Sequence, residues 1–274
     1  MTGHLGFKML GSRLLIIPLF CLAQFAVADQ RPVLSLVIDD LGYSFEKGQA
    51  AINLPGNHTY AIIPGATYSQ KLATLAQRKN KEIILHLPLQ SSNSEAAMEP
   101  NSLNEKMDED QLTANLHSML SAIPNIKGIN NHMGSHLTEI DYFMRPIMDI
   151  IRSYNPGLYF LDSRTTANSV AQTEALNYGL NSISRDVFLD NDYTNIESIR
   201  LQYQIWLQKA RERGFAIAIG HPHSTTIKFL RENLPLAQKQ FEFVSVSKLI
   251  DMVYYAEDAY SWQQELSYLQ RDLN

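Results

Sequence analysis

The stretch Val33-Leu-Ser-Leu-Val-Ile-Asp-Asp-Leu-Gly-Tyr43 runs from an almost wholly apolar segment into two adjacent acids and then a glycine-containing turn. A run this apolar suits a strand buried on both faces, as in a parallel sheet. Ending it in Asp39 and Asp40 sets like charges side by side, which is costly unless a cation or a shared proton relieves the repulsion. Ile83-Ile-Leu-His86, Ile129-Asn-Asn-His132, Tyr159-Phe-Leu-Asp162 and Ala216-Ile-Ala-Ile-Gly-His-Pro-His223 end in the same way, in metal-ligand or acid/base residues. In an α/β barrel the carboxyl ends of all strands open on one face, where active sites sit. Asp39, His86, His132, Asp162 and His221 are therefore expected around one pocket.

Working outward, strand-like and helix-like runs alternate, which favours a parallel sheet or barrel. Strands are predicted over 33–39, 59–63, 82–87, 128–132, 158–162, 182–186 and 215–221, with a short closing run at 243–246. The fold class is α/β, a distorted (β/α) barrel of about seven parallel strands. Leu112, Leu116, Met119, Leu120 and Ile123 keep helical spacing behind an Asp108/Gln111 capping box. Ile196, Ile199, Tyr203, Trp206 and Ala210 form a second stripe that stops at Gly214. Both stripes read as core packing. The polar segment 91–110 has no periodicity and follows the His86 strand, so it is expected to form a substrate-facing lip. The barrel domain is expected over 29–253 and a helical tail over 254–274.

The first 28 residues combine Lys8 and Arg13, an apolar run from Leu14 to Leu22, and Ala26-Val-Ala28. This is the pattern of a removable secretory signal. An uncleaved anchor is the alternative, although the apolar run is short for a bilayer span, and a lipoprotein site at Cys21 lacks the small residue that should precede it. Removal takes away the only cysteine, so any metal must rely on His and carboxylate donors. The segment carries two of the 23 basic residues and none of the 28 acidic ones, leaving 21 against 28. An acidic domain without a basic run argues against a nucleic-acid partner. No stable membrane span is expected after cleavage, and the location implied is the periplasm of a Gram-negative bacterium.

Adjacent acids at a strand end point in different directions and can split roles, one ligating a metal while the other acts as a base. A solvated β-turn is the plain alternative. His86 lies in Leu-His-Leu-Pro, where a histidine must find a partner or stay neutral. Asn130-Asn-His-Met-Gly-Ser-His136 packs five polar side chains around one glycine, and His132 and His136 stand four apart, a ligand spacing on a helix that Gly134 weakens. His221 and His223 flank Pro222, which limits their freedom. Asp162 is suited to orienting a histidine and Arg164 to pairing with an acid. Arg185-Asp186 and the trio Asp186, Asp190 and Asp192 read equally well as a solvated acidic loop.

Taken together, Val-Ile-Asp39-Asp40, Leu-His86-Leu-Pro-Leu, Gly-Ile-Asn-Asn-His132-Met-Gly-Ser135, Leu-Asp162-Ser-Arg164-Thr and Gly-His221-Pro-His223 resemble the divergent polysaccharide deacetylases, relatives of the NodB-type carbohydrate esterases. The likeness runs from about Arg31 to about Val253. It implies a deacetylase-type barrel, an N-acetylated glycan as substrate and a divalent metal, zinc by the donor types. It implies Asp39 as general base and Asp40 as metal ligand. The better-known enzymes complete the metal with a His-x-x-x-His motif on the third strand. Here that strand supplies His86 alone, and His132 with His136 arrives on the fourth. Their Arg-x-Pro-Tyr motif is absent, and Ile219-Gly-His221 loosely matches their Leu-x-His motif. The expected ligands are Asp40, His86 and His132. His221 or His223 is the expected acid, with Asp162 or Arg164 fixing neighbours. A catalytically inactive glycan-binding or envelope-assembly protein, or a hydrolase of another amide or ester, is the rival reading.

Overall fold

The computed structural model describes residues 31–93 and 102–254. The expected signal segment and residues 255–274 of the expected tail lie outside them. The strands are β1 (Val33–Leu41), β2 (Thr59–Ile62), β3 (Glu82–Leu89), β4 (Gly128–Met133), β5 (Tyr159–Asp162), β6 (Ser182–Ser184), β7 (Val187–Phe188), β8 (Phe215–Gly220) and β9 (Glu242–Phe243). Between them run α1 (Phe45–Ile52), α2 (Ser69–Arg78), α3 (Glu109–Ala122), α4 (Asp141–Tyr154), α5 (Ala171–Asn177), α6 (Ile196–Arg213) and α7 (Ser224–Ala237). Among the described residues no helix is long and apolar enough to cross a membrane.

Every strand pairing is parallel, in the order β6-β5-β4-β3-β2-β1-β8-β7, with β9 also on β1. Among the described residues the path holds eight strands rather than seven because the run expected at 182–186 stops at Ser184 and a further short strand, β7, follows it at 187–188. β6 pairs with β5 at one end of the sheet and β7 with β8 at the other. Arg185 and Asp186 cross between them, donating their N–H groups to Asp162 O and Ile217 O. The Asp186 carboxylate accepts from Ile217 N–H at 2.8 Å and pairs with Arg213. The curled sheet is thus bridged at this point by the chain itself. The closing run is also shorter than expected: only β9 pairs, and residues 246–254 are helical.

Alternation along each strand sorts side chains onto two faces. Leu34, Leu36 and Ile38 of β1 join Leu85, Ile129 and Phe160 in the main core beneath the helices, with Leu72, Leu116, Ile147 and Trp206. Val33 and Val37 face inward with Ala61, Ile84, Tyr159, Leu161, Ile217 and Ile219, in a second cluster closed by Val244, Val246, Leu249 and Ile250. The barrel interior is therefore a packed aliphatic floor. Two residues further along their strands or strand ends stand Asp39, His86, Asn130, Ser163 and His221, so the inward set changes from apolar to polar at the carboxyl ends.

The helical stripes form as their spacing implies. Asp108 and Gln111 make the reciprocal capping box of α3. Asn195 caps α6, and Gly214 closes it in the left-handed conformation, φ 90°. Trp206 is fully buried with its indole N–H on Ala216 O at 3.1 Å, which fixes α6 against β8.

Gly128 marks a close approach across β4 and β5. It is the register partner of Tyr159, whose ring lies 2.6 Å from where a Cβ on Gly128 would sit. The ring cannot swing freely, since its hydroxyl donates to Glu82 at 2.8 Å. Gly128→Val should therefore overpack the inner layer and destabilise the domain by about 1–3 kcal/mol, read as a lowered urea midpoint with unchanged m-value. An unshifted midpoint would mean that the inner layer is not tightly packed.

Candidate metal centre and active site

The site begins with an irregularity in β1. Ile38 pairs with Tyr60 and Leu41 with Ile62, so three steps along β1 match two along β2. This is a β-bulge, and Asp40 occupies it with φ 57°. A regular strand would send Asp39 and Asp40 to opposite faces. The bulge instead turns both toward one imidazole: His86 Nε2 lies 3.1 Å from Asp40 Oδ1 and 3.7 Å from Asp39 Oδ2.

His132 completes a triangle. Its Nδ1 is 3.0 Å from Asp40 Oδ1 and 3.2 Å from His86 Nε2. Asp40 Oδ1 is buried and has no aligned hydrogen-bond donor. Ligand atoms of a four-coordinate zinc at 2.0–2.2 Å stand about 3.3–3.5 Å apart, so three converging donors with edges of 3.0, 3.1 and 3.2 Å fit a divalent ion with little adjustment. Burial pushes the Asp40 carboxyl up, but the imidazoles of His132 and His86 outweigh it and hold the group far below the usual carboxylate range. Burial disfavours the His86 imidazolium, yet the charges of Asp39 and Asp40 prevail and raise its pKa. These strong pulls toward opposite charge are relieved equally well by a cation.

Asn130 organises the pair around it. Its Oδ1 sits 2.8 Å from His86 Nδ1, and its Nδ2 donates to Asp39 Oδ1 at 2.9 Å, to Asp39 Oδ2 at 3.1 Å and to Ser163 Oγ at 3.2 Å. An amide oxygen only accepts, so this network assigns the proton to His86 Nδ1 and leaves Nε2 free as a ligand. Asp39 is 3 % exposed. Burial lifts its pKa, and neither the neighbouring His86 and His221 charges nor the Asn130 bond fully offsets that effect. A carboxylate with raised proton affinity beside a candidate metal site is suited to work as a base.

Across the site, His221 follows β8. Its Nδ1 is 2.9 Å from Asp190 Oδ1, while Asp190 Oδ2 accepts from His221 N–H at 2.7 Å and Thr226 Oγ1 at 2.8 Å. His221 Nε2 therefore faces inward, 3.9 Å from Asp40 Oδ2. Burial opposes its charge, but the bond to Asp190 and the charges of Asp40 and Asp39 raise its pKa to about 9. Asp190, His221 and His223 also bring ligand-type atoms together. Asp190 already accepts three bonds, so this cluster is an orienting network and fits an ion poorly.

The remaining expected residues lie further out. His223 stacks on Tyr193, with ring centroids 3.8 Å apart and planes 16° off parallel, and burial lowers its pKa. Asp162 Oδ1 accepts from Arg164 N–H at 2.7 Å and so closes the turn after β5. The Arg164 guanidinium donates to Ala167 O. Neither Asp162 nor Arg164 touches His221, whose partner is Asp190. Met133 and Gly134 both adopt positive φ, 53° and 90°, which turns the chain away directly after His132. His136 consequently shares no helical face with His132 and bonds Glu105 at 2.9 Å. The described part of segment 91–110 is pinned beside this turn, where Ser91 and Ser92 meet Ser135 Oγ and Leu103 bridges to Leu89.

The linking role of Asn130 and the orienting role of Asp190 were not legible in advance. Asp190 does carry the general signal, since Val187-Phe-Leu189 is a short apolar run that ends in an acid.

The chain that carries this geometry belongs to the divergent polysaccharide deacetylase family, whose model matches residues 36–250. The uncharacterized protein YibQ of Escherichia coli K12 is 34% identical over 218 residues, which is 80% of this chain and 67% of the relative. An uncharacterized protein of Haemophilus influenzae is 32% identical over 216 residues, 79% of this chain and 76% of that one. The crystal structure of an uncharacterized protein from Agrobacterium tumefaciens C58 matches with a TM-score of 0.75 at 24% identity, over 81% of this chain and 90% of that one, a likeness of fold.

The His221–Asp190 pair gives a pH-dependent expectation. With a folded-state pKa near 9 against an ordinary 6.5, its contribution to stability is complete below about pH 6.5 and is lost as pH rises through 9. Asp190→Asn should bring the His221 pKa down toward the ordinary value, seen as an earlier titration of its ring resonances by NMR in metal-free protein. A His221 titration unaltered by Asp190→Asn would assign the raised value to another group.

Proposed function

We propose that this protein is a metal-dependent hydrolase that removes N-acetyl groups from an envelope carbohydrate. The observation that carries this reading is the convergence of Asp40, His86 and His132 on one point, with Asp39 beside them and His221 opposite. Membership of the deacetylase family supports a carbohydrate substrate. The basic, apolar and small-residue pattern of residues 1–28 supports export, to the periplasm of a Gram-negative bacterium.

A divalent cation on Asp40, His86 and His132, zinc by its match to two imidazoles and a carboxylate, supplies Lewis acidity to a water and to the acetyl oxygen. Asp39 accepts the proton released as the water oxygen bonds to the acetyl carbon. Asn130 holds Asp39 from both carboxylate oxygens, so the base stays aimed without its own rearrangement. As the carbon–nitrogen bond breaks, His221 donates the Nε2 proton to the departing amine. The products are acetate and a free amino sugar. His221 is favoured over His223 as this acid because Asp190 locks its ring with Nε2 toward Asp40, whereas His223 is stacked on Tyr193. Asp162 and Arg164 hold the turn after β5 and take no proton.

Purified protein should release acetate from N-acetylglucosamine oligomers, lose that activity with a chelator and regain it with zinc. Asp40→Ala should lose both metal and activity. Asp39→Asn should keep the metal and lose activity by about 10²-fold or more. Wild-type protein that takes up no stoichiometric zinc and releases no acetate would leave the inactive glycan-binding or envelope-assembly reading in its place.

A further inference from the structure

Arg164 and Arg185 line one cleft of about 460 Å³ with Phe188, Asn191 and Gln202, at the carboxyl ends of β5 and β7. Among the described residues neither guanidinium is in an ion pair. Arg164 Nη2 donates to Ala167 O at 3.0 Å, and Arg185 donates through Nε to Ser163 O at 2.7 Å and through Nη2 to Arg164 O at 2.8 Å. A guanidinium has five N–H groups, so both retain donors. The acid in the cleft, Asp186, is already engaged by Arg213 and Ile217 N–H. Two cations are thus held close together with no carboxylate bound to either, although Asp39 and Asp162 lie within electrostatic range of Arg185.

The positions are built. Arg164 sits at φ 47°, a conformation a long side chain rarely adopts, and the Asp162 carboxylate accepts its N–H to keep it there. Arg185 lies over the Phe188 ring, 5.2 Å from the centroid, and the same ring also neighbours the His221 ring, with centroids 5.1 Å apart. Ser163, whose carbonyl accepts from Arg185, also accepts from Asn130 through its hydroxyl. The cleft therefore borders the proposed catalytic centre, from which it is one residue removed along two chains of contact, Arg185–Phe188–His221 and Arg185–Ser163–Asn130. Amide side chains of Asn191 and Gln202 add donors and acceptors suited to sugar hydroxyls.

We infer that this cleft is a subsite for a carboxylate on the glycan, held by Arg164 and Arg185, so that the substrate class is an acidic N-acetylated polysaccharide. This rests on the deacetylase reading for the centre beside it. Planar guanidinium forks match carboxylates in a way no neutral glycan exploits.

The test is calorimetric titration of the full-length Asp39→Asn protein, silenced for hydrolysis, with two probes: an N-acetylglucosamine tetramer and the same tetramer oxidised to carboxylates at C6. The acidic tetramer should bind about tenfold more tightly, a modest factor because Arg164 is exposed. Adding Arg164→Gln should bring the ratio of the two affinities close to one. Arg185→Gln should do the same, and circular dichroism checks its fold because it also ties down the β5 turn. Equal affinities, or a ratio untouched by Arg164→Gln, would overturn the inference. Acetate release by wild-type protein separates the two claims. Release from both tetramers with equal binding would leave the hydrolase and remove the subsite, whereas selective binding with no release would leave the subsite and remove the hydrolase.

Discussion

One extra residue in β1 is the constraint on which the site depends. A regular strand separates neighbouring acids onto opposite faces, but the bulge at Asp39 and Asp40 brings both within reach of His86. Like charges held this close in a buried setting are unfavourable alone. The surrounding groups answer that charge directionally. His86 and His132 face Asp40, Asn130 donates to Asp39, and His221 lies across the gap with its pKa raised. Each acid thereby acquires a distinct environment, one that stabilises the carboxylate for ligation and one that raises proton affinity. Distinct environments for adjacent carboxylates follow from backbone geometry.

The precision of the arrangement comes from the layers beneath it. Val37, Ile84, Leu161 and Ile219 are buried on the inner face one alternation below Asp39, His86, Ser163 and His221. A close-packed aliphatic floor fixes the height of the polar layer and excludes water from below. Electrostatic interactions gain strength in such surroundings, and an unpartnered polar atom becomes expensive. Asn130 matters for that reason, because it is fully buried and uses both ends of its amide. Asp190 performs the matching task for His221, so each half of the centre has its own orienting group.

Much of this was legible in the sequence because strand burial and strand ends leave strong local signals. Apolar runs closing in Asp39, His86, His132 and His221 gave the barrel, its open face and the converging residues. The capping box of α3 and the Gly214 stop of α6 were equally local. What escaped depends on backbone dihedrals and long-range pairing. Positive φ at Met133 and Gly134 turns His136 toward Glu105, which the His-x-x-x-His spacing does not reveal. The break after Ser184 that sends β6 to one sheet edge and β7 to the other needs both edges in place, and only then does Asp190 arrive beside His221. Asp162 ends its strand like the others, yet lies one residue out of phase with the inward set, where it caps Arg164.

The most direct test of the centre is anomalous diffraction at the zinc edge from crystals of zinc-loaded protein. One peak is expected about 2.0–2.2 Å from each of Asp40 Oδ1, His86 Nε2 and His132 Nδ1. A peak at Asp190, His221 and His223 instead, or none at either cluster in protein that remains folded, would contradict the assignment of Asp40, His86 and His132 as the metal ligands.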